Sequence, residues 1–236
     1  MCGRFTLAKT SEELQLAFGL EPPFDYHGPR YNIAPGQDVL AVVLEGGVRR
    51  ARTLRWGLVP AWADDPAIGH RLVNARAETV AAKPAFRSAY RARRCLIPAD
   101  GWFEWQAQPG GKVPHWIHRR DRGVFAFAGL WEVWRGGGGE PLLSCTILTT
   151  DAAPGLRGIH PRQPVVVPPE AYDRWLDPKT PLAALEAVTR SPATDEELEA
   201  WPVSRFVNSP ANEGPECIER VATDWGEGGG QPGENA

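Results

Sequence analysis

Across 236 residues the chain has little sulfur, with one methionine and four cysteines, and it lacks any long apolar run. The cysteines, Cys2, Cys95, Cys145 and Cys217, are widely separated and form no C-x-x-C or Cys/His pair. Zinc sites and disulfide frameworks are built on such spacings, so neither is expected, and no cofactor is called for. No stretch reaches the roughly 18 apolar residues that a membrane helix needs. The N-terminus MCGRFTLAKTSEE has no apolar core of a secretory signal, so the expectation is a soluble cytoplasmic protein with no membrane partner. Internal repeats are absent too, which argues against a solenoid or propeller.

Composition is that of an ordinary globular chain, 42% hydrophobic and 23% charged, long enough for one sizeable core. The net charge of −3 conceals an asymmetry. Residues 1–94 carry 14 Lys+Arg against 9 Asp+Glu, or +5, leaving 12 against 20, or −8, for the rest. Twelve of those 14 cations are arginine, whose planar fork matches phosphate oxygens two at a time. A solvated basic face explains the same bias without a partner.

Thr10 to Phe18 reads as a short helix, with Thr10 and Glu13 at capping-box spacing and Gly19 as a stop. Strands are expected at 39–44, 48–56 after the Gly46-Gly47 turn, 94–98, 102–106, 113–118, 124–131, 142–150 and 164–167. Short helices are expected at 152–157, 168–176, 181–188 and 194–201, with a loose hairpin tip at Gly136–Gly139. There is no βαβ rhythm. The fold class is therefore α+β, a single domain over 1–225 on a mainly antiparallel, barrel-like sheet with short peripheral helices. The Gly/Pro/Glu-rich stretch 226–236 is expected to be a disordered tail.

Cys2 draws attention because methionine is removed before a small second residue, leaving a terminal residue with a free amine and a thiol on adjacent carbons. An α-amino group titrates near ~8, so part of it is an uncharged nucleophile at neutral pH. The amine can form a Schiff base with an aldehyde, and the thiol can close onto that carbon as a five-membered ring at small entropic cost. The same pair serves amide hydrolysis, and an incidental terminal cysteine is a third reading.

Other residues offer supporting chemistry. Asn74, opening Asn74-Ala75-Arg76-Ala77-Glu78, has a neutral amide able to fix an amine or a sugar hydroxyl. Arg76, Arg87, Arg91, Arg93 and Arg94 form either a phosphate track or the surface of a helix. Strand alternation puts Trp102 and Glu104 on one face, with Phe103 and Trp105 on the other; an inward Glu104 acquires a raised pKa suited to proton transfer, an outward one is a surface carboxylate. Glu78 and Glu132 are weaker candidates of that kind. His160, in Gly158-Ile159-His160-Pro161-Arg162-Gln163-Pro164, enters an apolar run from a stiff loop as a proton carrier or a structural histidine. His115 and His118, three apart on a strand, do not share a face for a metal. Among ten tryptophans most belong to the core, while an exposed Trp62 could stack on unpaired bases.

In order along the chain, MCGRF, RYNIAPGQ (30–37), RWGLVPAWA (55–63), NARAET (74–79), RRCLIPADGWFEW (93–105), FAGLWE (127–132), TT-x-A (149–152) and IHPRQPVVV (159–167) resemble the SRAP family, the SOS-response-associated peptidases. The resemblance implies an enzyme of hydrolase or lyase class that removes Met1 from itself. Such a protein would capture abasic sites in single-stranded DNA as a thiazolidine crosslink at Cys2, shielding the lesion during the damage response. It assigns Cys2 as nucleophile, Asn74 as the residue orienting it, Glu104 as proton carrier and His160 as an aid to sugar ring opening. Arg4, Arg76, Arg162, Thr149 and Trp62 become the expected DNA contacts. A monomer associated with the nucleoid when on DNA, with the replication machinery as a further partner, completes the picture. Where the family usually reads His-Asp-Arg-Met-Pro, residues 160–164 read HPRQP, which loses a carboxylate beside His160. Two other readings remain: an N-terminal nucleophile hydrolase acting on outside amides, and a noncatalytic reader of single-stranded or modified DNA.

Overall fold

The computed structural model describes residues 2–136, 138–190 and 193–222. The expected tail at 226–236 and Gly137 of the expected hairpin tip lie outside these. In chain order the elements are β1 (Phe5–Leu7), α1 (Ser11–Phe18), β2 (Arg30–Ile33), β3 (Asp38–Glu45), β4 (Val48–Trp56) and β5 (Asn74–Arg76). Then come α2 (Arg87–Ala92), β6 (Arg94–Ala99), β7 (Gly101–Gln108), β8 (Gly111–Arg119), β9 (Phe125–Trp134) and β10 (Leu142–Asp151). The chain closes with β11 (Arg162–Pro164), β12 (Val166–Val167), α3 (Tyr172–Leu176), α4 (Leu182–Arg190) and β13 (Leu198–Pro202).

Two sheets result. One is antiparallel throughout, in the order β13-β8-β7-β1-β2. In the other, β10, β4, β3, β6 and β9 follow one another and β9 pairs back onto β10, closing a ring. The ring is the barrel-like sheet expected from the sequence, and closure leaves those five strands without a free edge. Among the described residues only the β10 pairings with β4 and β5 are parallel. The two sheets meet through aromatic edges: Phe5 of β1 lies 5.2 Å from Trp56 and 5.7 Å from Phe127, and Trp102 of β7 lies 6.1 Å from both Phe125 and Phe127. That contact fixes which face of β7 points inward, and Glu104 follows Trp102 on it. The other face, with Phe103, packs with Trp116, Trp201 and Val207 under the C-terminal segment.

Local signals were obeyed where nothing competed. Thr10 and Glu13 form the reciprocal capping box, with N–H to side-chain distances of 3.2 and 2.8 Å, and Gly19 ends the helix at φ 63°. Two expectations fail. Residues 194–201 are not a helix: the Thr194 N–H bonds Glu197 at 2.9 Å and one turn forms, but from Leu198 the chain pairs with β8 as β13. One capped turn gains little until a helix propagates, and the open edge of β8 offers five residues a ladder at once. At 152–157 only a 3-10 turn, Pro154–Leu156, is found. Three short strands carry no periodic signal and escape sequence reading: β1, β2 and β5, of three or four residues each.

Candidate active site

Two of those unread strands build the site. β1 is held against β7 with Phe5 opposite Trp102, and the Phe103 N–H donates to the Arg4 carbonyl at 3.0 Å, which brings the chain start alongside Glu104. β5 adds to β10 with Asn74 opposite Ile147. Asn74 Nδ2 then donates to the Cys2 carbonyl at 2.7 Å, across 72 residues of sequence. Its Oδ1 is buried without a hydrogen-bond partner among the described residues.

Cys2 is an ordered, fully buried residue of the main core. Burial, reinforced by the Glu104 carboxyl, pushes its thiol far above the ordinary range, and Sγ lies 3.9 Å from the Arg4 carbonyl. The sulfur is therefore a neutral thiol, not a standing thiolate. Glu104 is also inward and almost completely buried. Desolvation raises its carboxyl to about 7, against the opposing pull of the positive amino terminus and Lys112. A carboxyl at that value is present in both forms at neutral pH and can give or take a proton.

His160 Nδ1 stands 3.8 Å from Glu104 Oε1. Burial depresses its imidazole below the usual value, although the backbone of Arg162 works the other way. The Arg162 N–H donates to Nδ1 at 3.0 Å, with the Arg162 carbonyl at the same distance, so the backbone orients this ring without the carboxylate absent at 161. Gln163, the other departure in this segment, is buried and accepts the Ala153 N–H at 2.8 Å through Oε1. Cys2, Asn74, Glu104 and His160 thus converge from β1, β5, β7 and the loop before β11.

The expected DNA contacts are dispersed. Arg4 is occupied internally, by Asn32 Oδ1 at 2.7 Å and the carbonyls of Val207 and Asn208 at 2.8 and 3.1 Å. Arg162 grips Glu78 through both nitrogens at 2.7 and 2.9 Å, Asp151 at 2.7 Å and the Thr149 carbonyl at 2.6 Å. Thr149 itself is buried. Arg76, by contrast, is exposed and has no ion pair among the described residues, and Trp62 is 60% exposed. Of the remaining arginines, Arg93 pairs with Glu132 at 2.6 Å. Arg94 is neither phosphate track nor helix surface: it is buried and donates to the carbonyls of Tyr90, Arg91, Trp175 and Asp177. A strand-start arginine surrounded by helix ends finds backbone acceptors there, a circumstance invisible in the sequence. Among the described residues no group of three His, Cys, Asp or Glu side chains could hold a metal ion.

The chain start thus carries a buried Cys2 with the Asn74 amide on its carbonyl, and Glu104 stands 3.8 Å from His160. The SOS response associated peptidase (SRAP) family matches residues 1–210. This chain belongs to the SRAP family. Among its relatives, the abasic site processing protein YoqW of Bacillus subtilis is 42% identical over 93% of this chain and 99% of its own length. The abasic site processing protein YedK of Escherichia coli is 34% identical over 94% of this chain and 100% of its own. A Bacteroides thetaiotaomicron protein of solved structure shares the fold, with a TM-score of 0.84 at 23% identity, over 94% of this chain and 100% of that one.

Proposed function

We propose that this chain processes abasic sites in single-stranded DNA by covalent capture, using the amine and thiol of Cys2 once Met1 is removed. The reading rests on one observation above the others: a buried Cys2 beside a carboxyl raised to about 7. The SRAP membership and the names of its abasic-site-processing relatives supply the substrate class.

The site's electrostatics set the order of events. With the thiol desolvated and neutral, the α-amine is the better nucleophile, so it attacks first. Glu104 and His160 shuttle the proton that opens the sugar hemiacetal to its aldehyde. The amine nitrogen bonds to C1′, and protonated Glu104 gives its proton to the departing hydroxyl, which leaves as water. The resulting iminium returns its nitrogen proton to the Glu104 carboxylate, and the imine accepts Sγ at the same carbon while the thiol proton passes to nitrogen, closing the thiazolidine. One water is released and nothing is oxidised or reduced. Asn74, already on the Cys2 carbonyl, holds the residue for attack, and its unpartnered Oδ1 is a ready acceptor for the liberated amine.

The test is a denaturing gel of mature protein with a single-stranded oligonucleotide containing one abasic site. A heat-stable adduct is expected from the wild type and none from Cys2→Ala. A wild type that forms no adduct overturns the proposal, and turnover of simple amides without DNA replaces it with the hydrolase reading.

A further inference from the structure

The commitment of Arg4 to internal acceptors leaves a question: what does this half-buried guanidinium, two residues past Cys2, hold in place? Besides Asn32 Oδ1, its acceptors are the carbonyls of Val207 and Asn208 in a single turn, Arg205–Asn208. Asn32, fully buried, donates to the carbonyls of Val207, Ser209 and Asn212 at 3.2, 2.9 and 2.8 Å, and Asn212 Nδ2 donates to the Phe206 carbonyl at 2.6 Å. Trp105, next to Glu104 on β7, adds a bond from Nε1 to Asn208 Oδ1 at 2.8 Å. The turn therefore hangs from Arg4, two residues past Cys2, and from Trp105, one residue past Glu104 but on the opposite face of β7.

Such dense backbone anchoring presents a side chain that has no reason to be there. Phe206 is 40% exposed and has no ring partner among the described residues, while the adjoining Val207 belongs to the apolar cluster of Phe103 and Trp116. Beside it the Arg205 guanidinium reaches Gly111 in the β7–β8 turn, next to the exposed Lys112. Neither cation has an ion pair among the described residues. Glu213, farther along the segment, accepts the Tyr31 N–H. A rigid exposed aromatic flanked by unpaired cations is the pattern by which proteins hold unpaired bases and the phosphates between them.

We propose that the 205–208 turn is a second nucleic-acid contact, in which Phe206 stacks on an unpaired base of the bound strand and Arg205 neutralises an adjoining phosphate. Arg4 serves here as a positioning residue for that turn. The inference rests on the proposed function in taking single-stranded DNA as the partner. Because the turn is prefixed by its hydrogen bonds, little ordering is left to be done on binding.

The test uses the full mature chain, with fluorescence anisotropy on a labelled single-stranded oligonucleotide lacking any lesion and a crosslinking time course on one with an abasic site. Phe206→Ala is expected to weaken binding about tenfold and Phe206→Tyr to restore it, since either ring can stack. At subsaturating DNA, Phe206→Ala should crosslink about tenfold more slowly, in step with its weaker binding. Arg205→Ala should lower the slope of log affinity against log salt by about one. Wild-type affinity in Phe206→Ala, or an equal loss in Phe206→Tyr, overturns the stacking role, and an unchanged slope removes Arg205. If the wild type binds DNA but forms no adduct, covalent capture is lost while this contact stands; if it crosslinks and Phe206→Ala binds normally, this inference alone is lost.

Discussion

At the scale of the residue, Glu104 is where environment most alters intrinsic chemistry. A carboxylate of ordinary value near 4.5 is raised to about 7 by burial in the cleft between the sheets. The native state thus binds a proton that the unfolded chain releases at lower pH. Stability from this group is complete below about 4.5, declines as pH rises, and is lost above about 7. The loss is on the order of 3 kcal/mol. Glu104→Gln should unfold at higher denaturant than wild type at pH 8 and at similar denaturant at pH 4; equal differences at both would show that the carboxyl does not ionise in the fold. Kinetics carry the same signature. Crosslinking needs a free amine, gained near ~8, and a protonated Glu104, lost above about 7, so its rate should be bell-shaped. Glu104→Gln should be slower by about 10² or more and should lack the alkaline limb. Persistence of that limb would assign it to another group. The alternation of Trp102 and Glu104 was legible in the sequence, but which face lay inward was not.

At the scale of the element, the hairpin of β7 and β8 positions both Glu104 and the Arg205 contact, and it tolerates little at its start. A Cβ on Gly101 would stand 2.2 Å from Trp116 Nε1, in the middle of a packed indole that also bonds Thr6 Oγ1 at 3.2 Å. Gly101→Ala should lose about 3 kcal/mol in denaturant melts, as overpacked cores do. Gly158→Ala, where nothing lies within 4 Å of the added atom, should stay within about 0.5 kcal/mol of wild type. If the two behave alike, the Trp116 clash is not the reason for glycine at 101. The long strands and the capped helix α1 were readable because their signals repeat over many residues. β1 and β5 were not, since three residues contain no period and their pairing partners are distant. Residues 194–201 show the opposite failure, a genuine local turn overridden by the edge of β8.

At the scale of the molecule, several of the arginines of residues 1–94 are engaged internally once folded. Arg49, Arg50 and Arg52 pair with Asp173, Glu21 and Glu45, while Arg4 and Arg94 hold carbonyls. Arginine richness therefore overstated the phosphate-binding surface. The cations left free for it include Arg76, Lys112 and Arg205. Affinity for undamaged single strands should rise as salt falls, and Arg76→Ala should reduce that slope by about one; an unchanged slope would exclude Arg76 from the phosphate contacts.

The sequence by itself determined the hairpins, the α+β class and the placing of a cysteine, with its amine and thiol chemistry, directly after Met1, because these depend on neighbours in the chain or on one residue's own chemistry. Only the tertiary structure decided the rest. It buried Cys2 and set Asn74 on its carbonyl, drew Glu104 to His160, and turned Arg4 and Arg162 inward to carbonyls and carboxylates. Those outcomes follow from strand pairings between segments far apart in the chain. A side chain's partners, and hence its charge state and availability, are set by the register of such pairings, which local pattern does not encode.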